Sequence, residues 1–222
     1  MRNIQQALGS AISRLSDQDY EQSLDYFRLW FRIGQKYSEN PSDLIFNAIY
    51  LSRTAGLWTD NNWLKCYSIG HLIPRFVDGV ESDPGFAPYS AGLRNRFSAS
   101  ILQEFFDGDL ENMNRSGSWA PTQFYIAVNL IAHSANFGII EEDMIRDYIL
   151  QSLVSHPKLH DHQADALAVL FKIAGATFEA YADPAIVDRC FQLLKHHNYS
   201  DRNGGRPELI QVGNFSAQQH WG

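Results

Sequence analysis

The histidine-rich turn SHPKLHDH holds the side chains of this chain that are best suited to binding a metal. Imidazole and carboxylate groups bind zinc, and the turn supplies them at His156, His160, Asp161 and His162. The turn also contains a proline, carries no cysteine and lacks the fixed helical spacing of known zinc motifs. Because the pattern is more typical of a solvated loop between helices, we expect the turn to be free of metal.

Familiar catalytic motifs are absent from the chain. Neither G-x-S-x-G, H-E-x-x-H nor a phosphate loop occurs. Cys66 and Cys190 lie within apolar helical stretches, which predicts reduced core thiols and not nucleophiles. The glycine-rich turn DRNGGR lacks the spaced carboxylates of a calcium loop. We therefore expect a protein that is not an enzyme and holds no cofactor, with an enzyme of unrecognised class as one alternative.

Four arginines could form a local basic patch, namely Arg75, Arg94, Arg96 and Arg115. The chain as a whole is acidic, since 18 Lys and Arg face 25 Asp and Glu, for a net charge of −7 at pH 7. Phosphate binding depends largely on Lys and Arg, so this balance argues against a dominant nucleic-acid or membrane surface. The four arginines are candidate contacts for RNA or an acidic partner, and an ordinary solvated surface is the plainer interpretation.

Hydrophobic residues recur at intervals of three and four along the whole chain, whereas the alternation typical of strands is nowhere sustained. With 45% hydrophobic residues among 222, the chain can bury a substantial core. The sequence therefore predicts an all-α protein. The predicted helices have the approximate bounds 3–15, 17–37, 41–55, 60–78, 89–108, 121–137, 141–154, 162–181 and 184–197.

Apolar stripes predict how individual helices are buried. The second helix carries one stripe at Leu24, Phe27 and Phe31 and another at Tyr26, Trp30, Ile33 and Tyr37. Two such stripes are typical of a helix sandwiched between layers. In the second half of the chain, a continuous core is predicted from Phe124, Val128, Ile131, Leu167, Leu170 and Ala174.

Helices that are apolar on nearly every face need neighbours on both sides, so a run of them predicts helices stacked in pairs. The rhythm of roughly 35 to 45 residues per hairpin is typical of helical repeat arrays. We predict a right-handed α-solenoid of about five HEAT-like antiparallel hairpins in one domain, 1–222, with a partly ordered segment at 198–222. No stretch resembles a signal peptide or a membrane span, which favours the cytoplasm, with the nucleus as the alternative.

Residues 127–154, AVNLIAHSANFGIIEEDMIRDYILQSLV, resemble the helical hairpin of the middle domain of translation initiation factor 4G. The shared features are an apolar helix, the turn FGII and a second helix that opens with acidic residues. DALAVLFKIAGATFE at 165–179 is similar to the next helix of that family, and LRNRFSASILQEFFDGDLE looks like an earlier one. The final QHWG is similar to the Trp-Gly of the poly(A)-binding-protein-interacting members.

The resemblance implies a helical repeat domain that serves as an adaptor in translation or mRNA metabolism. Members of the family commonly dock the DEAD-box RNA helicase initiation factor 4A, sometimes RNA, and sometimes other messenger-ribonucleoprotein (mRNP) proteins. We therefore expect a non-catalytic adaptor that binds initiation factor 4A or another mRNP protein, with no metal, cofactor or membrane partner. An RNA-binding helical-repeat module is the alternative.

Overall fold

The computed structural model describes residues 2–55, 70–113, 122–155 and 157–197, and within these ranges the regular structure is helical throughout. This confirms the all-α prediction. The helices are α1 Arg2–Ser13, α2 Tyr20–Gly34, α3 Pro41–Ala55, α4 Leu72–Ser82, α5 Ala87–Ser90, α6 Leu93–Met113, α7 Thr122–Asn136, α8 Glu142–Met144, α9 Leu150–Leu153, α10 Asp161–Tyr181 and α11 Pro184–His196. None of the helices in these ranges combines the length and apolar composition that crossing a membrane requires.

The chain divides into two compact units, Met1–Ser100 and Ile101–Gly222. Helix α6 contributes its beginning to the first unit and its remainder to the second. The description of 1–222 as one helical-repeat domain stays a prediction. The C-terminal segment 198–222 lies outside the described residues.

Local sequence signals set several helix ends. Helix α3 begins at Pro41, because a first turn does not use the amide hydrogen that proline lacks. Asp183 caps α11, where its carboxylate accepts a hydrogen bond of 2.8 Å from a backbone amide in the first turn. Gly138 follows α7 with a φ of 62°, in the left-handed region that ends helices. Pro74 lies in the first turn of α4, so no kink is needed there.

An aromatic cluster lies in the core of the first unit. The ring of Phe27 on α2 lies 4.9 Å from that of Phe76 on α4 and 5.8 Å from that of Phe86. Phe31, one turn along α2, lies 5.1 Å from Phe86 and 5.4 Å from Tyr89. Aromatic pairs at these separations add to the stabilisation that burial alone provides. One face of α2 is thereby fixed in the core.

The core of the second unit forms where α7 packs along α10. All six residues that the sequence predicts for this core are at most 2% exposed: Phe124, Val128, Ile131, Leu167, Leu170 and Ala174. Their burial is therefore confirmed. Helix α7 packs along α10, and the segment Glu142–Leu153, made of α8, a π-helical stretch and α9, lies between them in the chain.

Two irregularities of the second unit do not follow from hydrophobic periodicity. Residues Ile145–Ile149 form a π-helical segment between α8 and α9. Helix α10 is kinked at Ala174, whose φ of −127° and ψ of 25° leave the helical region. Asn136 bridges the kink, since its amide donates to the carbonyl of Ile173 at 2.9 Å and accepts from the hydroxyl of Thr177 at 2.7 Å. A side chain thus supplies hydrogen bonds where the backbone ladder is interrupted.

Candidate interaction surface

Helix α2 has an exposed apolar face besides the face that packs in the core. We call this set of side chains the α2 apolar face: Tyr26, Leu29, Trp30, Ile33 and Tyr37. The exposed fractions are 39% for Tyr26, 55% for Leu29, 38% for Ile33 and 69% for Tyr37, and Trp30 is half-buried. Within residues 2–55 and 70–100 no helix covers this side of α2, so the prediction of a helix sandwiched between layers is wrong for it.

Most of the large apolar side chains that are exposed in the described part of the chain lie on this face. Four of the seven large hydrophobic side chains that are exposed in the described ranges belong to it. The other three, Tyr50, Tyr148 and Tyr181, lie on three different elements. Isolated exposed side chains are ordinary, whereas a contiguous apolar patch is typical of an interaction site. The rings of Tyr26 and Trp30 meet edge to face at 6.2 Å, which makes the patch continuous along the helix.

Leu29, the most exposed aliphatic residue of the patch, belongs to neither of the stripes that the sequence predicts. The distribution of charge along α2 does indicate that position 29 lies on an apolar surface. All five charged residues of α2 and the turn after it fall on one side of the helix, so the remaining surface is apolar. Periodicity alone could not tell whether another helix would cover that surface.

A charged edge borders the α2 apolar face and consists of Glu21, Asp25, Arg28, Arg32 and Lys36. Arg28 is held in place, because its guanidinium lies 2.5 Å from Asp25 Oδ1 and 2.7 Å from Asp83 Oδ2. Arg32 and Lys36 are exposed, and neither forms an ion pair within the described part of the chain. The acidic residues of the edge lie near the start of α2, and the two unpaired basic residues lie near its end.

A cleft of about 350 Å³ opens on the far side of the charged edge, between α2 and the turn that follows α4. Asp25, Arg28 and Arg32 line it from α2, and Asp83 and Phe86 line it from the turn. Its walls carry both signs of charge and an aromatic ring. Such a cleft can receive a polar side chain from a partner that lies on α2.

Asp83 fixes the turn that forms one wall of the cleft. Its Oδ1 accepts a hydrogen bond of 2.7 Å from the Gly85 amide, and its Oδ2 accepts one of 2.8 Å from Arg28 Nε. Burial acts to raise the pKa of Asp83, but the Gly85 amide and the Arg28 guanidinium outweigh it and hold the pKa below its usual value. The carboxylate is therefore a charged structural group.

Asp83→Asn is expected to destabilise the protein at neutral pH and to matter less in acid. The folded-state pKa of Asp83 is lowered, so its stabilisation is complete above the unfolded value of about 3.9 and is lost as pH falls through the folded pKa. Thermal melting should show a difference in Tm from wild type that shrinks between about pH 6 and about pH 2. Asp25→Asn alters an exposed partner of the same Arg28 and is the matched control. It should lower the Tm by less than Asp83→Asn does. If the difference in Tm between Asp83→Asn and wild type were the same at both ends of this pH range, the assignment of Asp83 as a charged structural group would be contradicted.

Two of the arginines that the sequence predicts as RNA or partner contacts have carboxylate partners within the first unit. Arg75 lies 3.1 Å from Asp17 Oδ1, and Arg96 lies 3.0 Å from Asp43 Oδ1. Each guanidinium also lies over an aromatic ring, 4.0 Å from its centre for Arg75 and 4.3 Å for Arg96. A phosphate would have to compete with these contacts.

Arg94 is engaged in the same way. Its guanidinium pairs with Asp78 and Glu81, both on α4. Arg115, the fourth candidate, lies outside the described residues. A role for these four arginines in binding RNA or an acidic partner therefore stays a prediction, and three of them already have an internal structural role.

The histidine-rich turn leads into α10. His160 is the N-cap, where its side chain and that of Gln163 exchange hydrogen bonds with each other's backbone amides in a capping box. His162 lies within α10, as the predicted helix 162–181 has it, but its side chain is only 9% exposed, so the interpretation of the cluster as a solvated loop is wrong for this residue. Its Nε2 lies 2.8 Å from Asp109 Oδ1, and Gln163 Nε2 donates to the same oxygen at 3.1 Å. Asp109 on α6 thus gives two buried polar side chains a partner, which burial of such groups requires.

The histidines of this turn are directed to separate partners. Asp161 pairs with His197, whose Nε2 lies 3.1 Å from Asp161 Oδ1. The ring centres of His160 and His162 are 5.7 Å apart. Within residues 2–55, 70–113, 122–155 and 157–197, no three His, Cys, Asp or Glu side chains are placed to hold a metal ion. His156 lies outside those ranges.

Two candidate reactive groups of the second unit are internal, namely the Asp109–His162 pair and the thiol of Cys190. The Asp109 and His162 side chains are 7% and 9% exposed, so a substrate has little access to the pair. The thiol of Cys190 is buried, and desolvation raises its pKa to about 12, which keeps it protonated and unreactive. Cys66 lies outside the described residues. The predicted core position is confirmed for Cys190.

The α2 apolar face differs from these features because it is open to a partner. It combines exposed aliphatic and aromatic side chains, a charged edge and an adjoining cleft on one helix. Comparison of the chain with protein-family models, curated proteins and solved structures finds no match. The functional conclusion therefore depends on this geometry and on the sequence resemblance.

Proposed function

We propose that this protein is a non-catalytic adaptor that binds a protein partner through the α2 apolar face. The observation that carries the proposal is the exposure of Leu29 and Ile33, at 55% and 38%, on a helix whose opposite face is fixed by Phe27 and Phe31 in the core. A rigid helix that presents an apolar face is one of the recurring modes of protein recognition. Tyr26, Trp30 and Tyr37 supply the aromatic anchors that such interfaces favour.

The helices stack as about five HEAT-like antiparallel hairpins of a right-handed α-solenoid. Packing within the second unit supports this arrangement, since α7 lies along α10 and the helical segment Glu142–Leu153 lies between them in the chain. Equivalent helices of successive hairpins lie side by side in stacked repeats. The sequence resemblance to the middle domain of initiation factor 4G supports the same arrangement.

The partner is a protein of the translation or mRNP machinery, with initiation factor 4A as the first candidate, and the complex forms in the cytoplasm. The resemblance of the FGII turn and its flanking helices to initiation factor 4G supports this choice. The net charge of −7 favours a protein partner over bare RNA. Three arginines that could contact RNA are held by carboxylates, which supports the same preference.

Affinity purification from nuclease-treated lysate, followed by mass spectrometry, tests the proposal. Wild type should retain an mRNP protein after RNA is removed, and Leu29→Asp should lose it, because a charge in the centre of the patch costs more than about 2 kcal/mol of binding. Tyr148→Asp is the matched control, since that side chain is also 56% exposed but lies in the second unit. Retention of the same protein by Leu29→Asp, or loss of every partner on nuclease treatment, would overturn the proposal. Purified initiation factor 4A then tests the first candidate directly.

RNA binding is the alternative function and is expected to be weak. Fluorescence anisotropy with a single-stranded RNA should show affinity that falls steeply with salt and does not reach the submicromolar range at physiological ionic strength. Arg94→Glu combined with Arg96→Glu removes two of the candidate contacts and should change the affinity for RNA only slightly. Submicromolar binding that this double variant abolishes would instead favour an RNA-binding module.

A further inference from the structure

The charges along the edge of α2 are complementary to those of a second α2 in the antiparallel orientation. Glu21 and Asp25 lie near the start of the helix, Arg32 and Lys36 lie near and just past its end, and all four are exposed. An acidic start and a basic end also suit the dipole of a helix. The dipole does not explain why all four charges share one edge, beside an apolar face that is left exposed by the described residues of the first unit. A partner for this surface needs the opposite order of charge along an apolar helix, and an antiparallel α2 provides it.

We propose that two copies of this protein pair through antiparallel α2 helices related by a two-fold axis. In such an interface, a residue i that contacts j requires j to contact i. A two-fold axis perpendicular to α2, midway between positions 28 and 29, brings the charged edge of one copy against the same edge of the other. Glu21 then faces Lys36 of the second copy, and Asp25 faces Arg32. Each ion pair occurs twice.

A closely similar antiparallel register joins the two apolar faces. Tyr26 opposes Ile33 and Leu29 opposes Trp30 when the axis passes midway between positions 29 and 30. Moving the axis by one residue slides one helix along the other by two residues, so this alignment differs from the one set by the charges by about 3 Å, which is less than one turn. Apolar and charged residues therefore specify nearly the same antiparallel alignment, although they occupy different sides of α2.

Self-pairing covers the face through which the proposed adaptor binds its partner, so the two contacts exclude each other. The protein alone is a dimer, and a partner that binds the α2 apolar face releases the monomer. The dimer follows from the residues of α2 and does not depend on the identity of that partner.

Analytical ultracentrifugation of the full chain over a range of concentrations tests the dimer. Glu21→Lys and Lys36→Glu should each weaken it by about tenfold, because each replaces two attractive contacts by two repulsive ones. An equal mixture of the two variants should recover the dimer, and so should the chain that carries both changes. Leu29→Asp should weaken self-association by more than about thirtyfold, whereas Tyr148→Asp should leave it unchanged. Circular dichroism confirms that each variant is folded.

A wild-type chain that stays monomeric at every concentration would overturn the proposal. So would a dimer that tolerates Leu29→Asp, or a mixture of Glu21→Lys and Lys36→Glu that fails to pair. These results are separable from failure of the adaptor function. If the protein is a monomer that still captures an mRNP protein through Leu29, only the dimer is overturned. If it forms a dimer with the predicted charge dependence but captures no such protein, only the adaptor function is overturned.

Discussion

Replacing Asp109 with alanine is expected to lower the free energy of unfolding by about 3 to 5 kcal/mol. Asp109 accepts hydrogen bonds from two side chains of α10, His162 at 2.8 Å and Gln163 at 3.1 Å, and all three residues are buried. Its removal leaves both partners without their acceptor in an apolar environment, where unpaired polar groups are costly. Denaturation in urea followed by circular dichroism measures the loss.

Asp107→Ala is the matched control for Asp109. Asp107 lies two residues earlier on α6, is exposed and accepts a hydrogen bond from the neighbouring Gln103 at 2.8 Å. Its replacement should change stability by less than about 0.5 kcal/mol. A double-mutant cycle between Asp109→Ala and His162→Ala should give a coupling of about 1 to 3 kcal/mol. Equal effects at positions 107 and 109, or no coupling, would contradict the assignment of Asp109 as the centre of a buried network.

Leu170→Ala is expected to lower the free energy of unfolding by about 2 to 5 kcal/mol. Leu170 is fully buried on α10, where this helix packs along α7. Truncation removes apolar area from the core and leaves a cavity that the surrounding helices fill only in part. Chemical denaturation of the purified variant gives the size of the effect.

Leu29→Ala makes the same chemical change on a surface that is 55% exposed. It should alter the stability of the monomer by less than about 0.5 kcal/mol, while it weakens partner binding. The two leucines therefore separate a folding role from a binding role. A large loss of monomer stability for Leu29→Ala would mean that the α2 apolar face belongs to the core and not to an interface.

The sequence predicts helices well where proline, glycine or a capping residue marks an end. Helix α3 begins at Pro41 and α11 at Pro184, as predicted, and α10 spans 161–181 against a predicted 162–181. Predictions are less accurate where a local turn competes with periodicity. Ser16 accepts a hydrogen bond of 3.0 Å from the Asp19 amide, so α2 begins only at Tyr20. Gly92, with a φ of 75°, separates the short α5 from α6, which periodicity alone merges.

The candidate site could be predicted only in part, because it depends on what does not pack against α2. Periodicity identifies Tyr26, Trp30 and Ile33 as apolar positions, but exposure is a property of the tertiary arrangement. The partner of His162 could not be predicted for a similar reason, since Asp109 lies 53 residues earlier and no local pattern links the two. A polar residue inside an apolar helix signals that a partner exists without identifying it.

Photo-crosslinking from position 29 tests most directly whether the α2 apolar face is a protein-binding surface. A photoreactive phenylalanine analogue replaces Leu29 in one full-length chain and Tyr148 in another, and both are irradiated in nuclease-treated lysate. Position 29 should crosslink to a second copy of the chain or to an mRNP protein, and position 148, with a side chain that is equally exposed at 56%, should not. Crosslinks from position 148 alone, or none from position 29, would contradict the assignment of α2 as the binding face.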